Sequence, residues 1–189
     1  MPSLLLPPFM VVHEAAWFVP CSFFLYRGVG VKKRIIGLDP GLAHTGFGII
    51  DTQGQKKELV CYGIIETPAS EPLTTRLLAI YNRLTALLLE YKPCEASMET
   101  LYFSRNASSA LNVAEAKGVV TLCLAQQTIP LFMYTPNQIK IAVTGTGRAD
   151  KELVERYVKL LLQLEVEPKP DHAADALAAA ITHIHSRVI

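Results

Sequence analysis

The sequence runs to 189 residues, half of them hydrophobic and 19% charged, which excludes wholesale disorder and suits one domain with a substantial core. Eighteen Lys+Arg against 17 Asp+Glu leave a formal charge of +1, so this is no polycation and any nucleic-acid contact must come from local clustering. The cysteines Cys21, Cys61, Cys94 and Cys123 form no CxxC pair, which suits neither a zinc knuckle nor a disulfide framework and fits a reduced cytoplasmic compartment.

The N-terminal residues differ in character from the rest. Over residues 1–30 only Glu14 and Arg27 carry formal charge, and the apolar run Ala15–Tyr26 is interrupted by Pro20. That run falls short of the roughly 20 residues a bilayer span needs, and no cationic stretch precedes it as in an export signal. Val31 stands where an initiator would, since valine can be encoded by GTG. Residues 1–32 are therefore expected to be a start-site artefact or a disordered extension, with the domain at 33–189.

Arg34–Leu38 is a short apolar run ending in Asp39-Pro40-Gly41, a buried strand followed by a turn. Thr45–Asp51 and Leu59–Glu66 read as two further strands, so an antiparallel meander opens the domain. The period then changes. Leu73, Leu77, Ile80, Leu84, Leu87 and Leu88 mark an amphipathic helix over 72–91, stopped by Pro93. Ala96–Glu99 is a short strand, and 106–127 a long helix with Ser104 or Asn106 as its cap. Leu131–Tyr134 is a strand, Pro136–Val143 a helix, and Gly145–Arg148 a glycine-bearing loop. Helices over Asp150–Leu164 and Asp171–His185 finish the chain. The order implies an α/β domain with a mixed five-stranded sheet and helices on both faces.

Asp39 ends the first strand, where ligands usually bind in an α/β sheet, although Asp-Pro-Gly is also plain turn chemistry. Glu99 closes an apolar stretch, which is costly for a carboxylate unless it is paired, binds a cation or reaches solvent at an edge. His172 and Asp175 are three apart and share one helical face. The alanines around them let that face approach a sheet, while Asp171 reads as a helix cap. Together Asp39, Glu99 and Asp175 offer the oxygen ligands a hard divalent cation takes, and His172 suits a fourth ligand or a proton handler.

IIGLDPGLAHTGFGII, METLYFSRNASSALNVAEAKGVV and DHAADALAAAITH, in that order over residues 33–187, resemble the three signature blocks of the RuvC family of Holliday-junction resolvases. The resemblance implies a ribonuclease-H-like fold, a homodimer, and paired symmetric nicking of four-way DNA junctions in recombination and repair. It further implies dependence on Mg2+, one or two ions per subunit with Mn2+ as a substitute, and partnership with the RuvA–RuvB branch-migration machinery. Asp39, Glu99 and Asp175 fall on the family's catalytic carboxylates, and His172 falls where members carry either His or a further Asp.

Lys140, Arg148 and Lys151 cluster around the Gly145–Gly147 loop, where glycines let a phosphate approach. The family's phosphate-contacting lysines fall on Lys140 and Lys151. Tyr102, Phe103 and Arg105 follow Glu99, and an aromatic there stacks on an unpaired base or belongs to the core. Tyr102 falls on the family's base-stacking aromatic. Ala107, Ala110, Ala114, Gly118, Thr121 and Ala125 make a small-residue stripe on a helix whose charges are Glu115 and Lys117. That pattern suits a helix packed both on its own sheet and on a twin protomer, or one internal to a monomer. Three rival readings compete: an actin-like sugar kinase, which needs about twice this length, a related nuclease acting on RNA or single strands, and an inactive junction-binding protein.

Overall fold

Alternation along the first strand decides how the molecule is layered. The computed structural model describes residues 31–100 and 107–187. In it β1 (Lys33–Asp39) sends Ile35, Gly37 and Asp39 to one face and Ile36 and Leu38 to the other. Around it lie β2 (His44–Gln53), β3 (Lys56–Glu66), β4 (Glu95–Glu99) and β5 (Leu131–Tyr134), in the spatial order β3-β2-β1-β4-β5. The first three strands pair antiparallel, and β4 and β5 add in parallel, giving the mixed sheet expected.

Among the described residues five helices cover the two faces. Helices α1 (Leu73–Tyr91) and α2 (Ala107–Gln126) pack over Ile36, Leu38, Ile49 and Met98 through Ile80, Leu84, Val120 and Leu124. On the other face α3 (Pro136–Thr144), α4 (Lys151–Leu161) and α5 (Asp171–Ser186) bury Ile139, Val143, Val158, Leu177 and Ile181 against Ile35 and Ile50. No helix among the described residues is long and apolar enough to cross a membrane.

Local chemistry explains most of the boundaries. Thr135 and Gln138 form a reciprocal capping box at the start of α3, and Gly145 ends that helix in the left-handed region at φ 81°. Asp150 caps α4 by accepting from the Leu153 amide at 2.8 Å. Asp171 does not cap α5: Pro170 holds that position, and the Asp171 carboxylate instead pairs with Lys151 at 3.1 Å and Lys169 at 3.3 Å. Two ammonium groups within reach draw the carboxylate away from the helix end. Helix α4 stops at Leu161, short of the expected Leu164.

The close seating of α5 on the sheet is a matter of missing side chains. A Cβ added to Gly37 would lie 1.9 Å from the Ala176 carbonyl oxygen, and one added to Gly46 would lie 2.0 Å from that of His172. Both obstructions are backbone, which no rotamer relieves. From the helix side, Ala173, Ala176, Ala179 and Ala180 are fully buried.

Gly37→Ala is therefore expected to destabilise the fold by about 3 kcal/mol. Gly118→Ala meets open space within the protomer, in mid-helix, and should instead stabilise the protomer by up to ~1 kcal/mol. Urea unfolding of the two variants checks both signs.

Candidate active site

Asp39 closes β1 at the Asp-Pro-Gly turn, which Thr45 ties down by donating its hydroxyl to the Gly41 carbonyl at 2.8 Å. Its partner across the antiparallel ladder is Gly46, and the missing side chain there lets the first turn of α5 descend beside Asp39. The consequence is a bond of 2.6 Å between His172 Nδ1 and Asp39 Oδ2, spanning 133 residues of sequence. One turn along α5 stands Asp175. Ligand-type atoms of Asp39, His172 and Asp175 all lie within 4.8 Å of one another.

Glu99 ends β4, the parallel neighbour of β1. It stands beside the trio and outside that tight group, on the longer side chain of the adjacent strand. It shares a cleft of about 200 Å³ with Asp175, Lys140 and Lys151. Glu99 is exposed at the end of its strand, reaching solvent as an edge residue. Partial desolvation in this cleft nonetheless raises its carboxyl above the ordinary range, and the charges of Asp39 and Asp175 raise it further against the pull of Lys117 and Lys140. Burial raises Asp175 as well, reinforced by Asp39 and opposed by Lys151 and His172. The sequence expectation of three converging carboxylates thus takes a modified form: two of them close with the imidazole, and the third alongside.

The basic residues divide. Lys151 Nζ sits 3.2 Å from Asp175 and 3.1 Å from Asp171, so it belongs to the acidic cluster as much as to the surface. Lys140 lines the same cleft, whereas Arg148 stands exposed on the following loop. The loop glycines have structural duties of their own, since Gly145 ends α3 and a Cβ on Gly147 would meet Asn137 Oδ1 at 2.3 Å. Ala114 and Gly118 are exposed on α2, and Ala110 is half-buried. Tyr102, Phe103, Arg105 and the cap residues Ser104 and Asn106 lie outside the described residues, as does the Ala107 side chain.

Two neighbours escaped the sequence reading. The His44 ring stacks on His172 with centroids 5.7 Å apart and planes at 22°. Lys117 Nζ donates to the Glu99 carbonyl at 2.8 Å. A lone lysine in a charge-poor helix was a usable signal for Lys117, and a second histidine just past the turn a weaker one for His44.

This donor set fits a hard divalent cation. Carboxylates from three separate elements crowd together at a cost in mutual repulsion and desolvation, and a cation between them offsets that cost. One imidazole nitrogen completes the set without making it a soft-metal site.

Comparison with known proteins agrees in kind. A family model described as Crossover junction endodeoxyribonuclease RuvC matches residues 35–183. The crossover junction endodeoxyribonuclease RuvC of Treponema denticola is 51% identical over 155 residues, covering 82% of this chain and 87% of the relative. That of Petrotoga mobilis is 48% identical over 149 residues, covering 79% and 91%. The structure of T. thermophilus RuvC in complex with Holliday junction substrate is similar with a TM-score of 0.79 at 33% identity, over 82% of this chain and 95% of that one. The sheet order and helix placement described above match that ribonuclease-H-like fold.

A carboxylate whose folded-state pKa is raised contributes stability below that pKa and loses it as pH rises. Glu99→Gln removes a charge that its desolvation and its acidic neighbours disfavour, so it is expected to raise Tm at neutral pH in the presence of a chelator. The gain should vanish at acid pH, where Glu99 is itself protonated. Thermal melts of both proteins across that range check the sign.

Proposed function

Because the chain belongs to the RuvC family of crossover junction endodeoxyribonucleases, we propose that it resolves Holliday junctions by nicking one phosphodiester on each of two strands. Asp39, Glu99, His172 and Asp175 form the hydrolytic site in this reading. The observation that carries it is the convergence of Asp39, His172 and Asp175 within 4.8 Å of one another. A tight acid cluster is costly to fold, and a protein that merely bound a junction would have no use for it.

The carboxylates would hold Mg2+, one or two ions per subunit with Mn2+ able to substitute, and His172 would serve through its one remaining nitrogen either as a further ligand or as the general base. Such an ion supplies Lewis-acid stabilisation of charge at the scissile phosphate and acidifies water. The chain's own residues do the rest. The bond from His172 Nδ1 to Asp39 orients the ring and leaves Nε2 for that single role, and the half-exposed ring is open to a substrate strand. Lys140, Lys151 and Arg148 receive the phosphates that flank the cut. Tyr102 and Phe103, with Arg105, follow Glu99 in sequence and would stack on a base freed from pairing near the cut.

A four-way junction has two-fold symmetry, so a two-fold dimer delivers one site to each of two opposed strands. Helix α2 is the surface that fits. Leu111 and Leu122 are 60% and 53% exposed along it, and Ala114, Gly118, Thr121 and Ala125 are exposed between and beyond them. Exposed leucines flanking small residues suit a helix awaiting its copy. The working setting would be the bacterial cytoplasm, with the RuvA–RuvB complex as partner.

On a synthetic four-way junction, Mg2+-supplemented protein should cut and chelated protein should not. Asp39→Asn should abolish nicking while leaving junction affinity near that of the parent, because it weakens a ligand without adding bulk. Nicking retained in that variant refutes the site. Leu122→Glu places a charge on the proposed dimer face, which is exposed in the monomer. It should leave the melting temperature of the protomer intact and shift sedimentation from dimer to monomer.

A further inference from the structure

The end of α5 remote from Asp39 carries a second histidine that the hydrolytic chemistry does not use. His183 is fully buried, about three helical turns beyond His172. Its Nε2 donates to Glu95 Oε2 at 2.8 Å, and its Nδ1 meets the Tyr134 hydroxyl at 2.7 Å. The Phe132 ring stacks on the imidazole at 4.4 Å, and Lys33 and Arg187 approach the other Glu95 oxygen at 3.3 and 3.6 Å. Both ring nitrogens are therefore satisfied, and the imidazole joins β4, β5 and α5 in one buried polar chain.

These are the elements that build the site. Helix α5 bears His172 and Asp175, and β4 ends in Glu99. Tyr134 takes part twice: its side chain holds His183, and its carbonyl accepts the amide of Thr100 at 2.8 Å, next to Glu99. Alanines seated on glycines, with Leu177 seated over Gly48, make an apolar contact that fixes the depth of the helix and is non-directional. Hydrogen bonds are directional and set its axial register. A misplacement of about 1 Å at a reacting centre can cost on the order of a hundredfold in rate.

We propose that Tyr134, His183 and Glu95 are positioning residues that fix the axial register of α5, so that His172 and Asp175 meet Asp39 and Glu99. The proposal rests on the reading of the site given above. Helix α5 is thereby held at both ends by histidine–carboxylate pairs, one inside the site and one buried behind it.

The test uses the full chain with His183→Leu, His183→Gln and Tyr134→Phe. Three quantities are measured: Mn2+ affinity by electron paramagnetic resonance, junction affinity, and single-turnover cleavage at saturating protein. In His183→Leu, junction affinity should hold while Mn2+ affinity and cleavage rate each fall about tenfold, as for other partners that orient metal ligands from behind. The Gln variant can donate its amide N–H to Glu95 and accept from Tyr134, and it should recover both. Parental Mn2+ affinity and rate in His183→Leu, or no recovery with Gln, would overturn the proposal. If His183→Leu does not fold, Tyr134→Phe decides: it keeps the ring, loses one bond, and should show a smaller fall in the same two quantities. Parental values in that variant would then overturn the proposal. A parent that binds Mn2+ yet leaves the junction uncut refutes the junction-nuclease reading, while the Mn2+ affinities still decide the clamp.

Discussion

With no side chain at Gly37 or Gly46, nothing holds α5 away from the sheet, and the backbone of Ala176 and His172 occupies the space a Cβ would fill. That contact sets the scale of everything at the site. Asp39 and Asp175 are short side chains on different elements, and short side chains meet only when their backbones do. A larger residue on β1 or β2, or a bulkier face on α5, would restore ordinary layer spacing and open the cluster. The run of alanines in α5 therefore serves as spacing material, and its modest hydrophobic gain per residue is secondary. Each small residue forgoes burial that a leucine would contribute at roughly 25 cal/mol per Å². The cores on the two faces, rich in isoleucine and leucine, offset that sacrifice.

Electrostatics then works on a geometry that packing has already imposed. Asp39, Glu99 and Asp175 are brought close by the fold, and the raised carboxyls of Glu99 and Asp175 register the strain of that placement. Lys117, Lys140 and Lys151 gather against the cluster as local countercharge. This is how a chain of formal charge +1 presents concentrated charge of both signs at one place. The overall balance says little about the site, because the potential a substrate meets is set within a Debye length of about 8–10 Å.

Much of the fold was legible because periodicity reports directly on burial. The switch from alternating residues to three- and four-residue spacing located the strands and helices, and Leu131–Tyr134 was placed to the residue. The site was legible in part for a similar reason: Asp39 falls at a strand end, and His172 and Asp175 share one helical face. Pairings across the fold were not legible. Periodicity says which face a side chain occupies and is silent on what it meets there. Stacking of His44 on His172, Lys117 at Glu99 and the ion pairs of Asp171 all arise between elements far apart in sequence. The cap assigned to Asp171 failed on that ground, since local rules rank backbone amides first and cannot see two lysines arriving from elsewhere.

The same blindness made Lys140 and Lys151 look equivalent, and they are not. Lys151 lies within ion-pair distance of both Asp171 and Asp175, whereas Lys140 makes no ion pair among the described residues. A charge already shared between two carboxylates contributes less to an approaching phosphate than one that is not, because the phosphate must compete with partners in place. Neutralising Asp175 with any other positive charge weakens its hold on Lys151 and leaves that half-exposed cation to Asp171 alone. Occupation of the acid cluster and attraction for a polyanion are therefore coupled through one side chain. The coupling is reciprocal by linkage: whatever draws Lys151 toward a phosphate leaves Asp175 without that counter-ion and with more to gain from a cation.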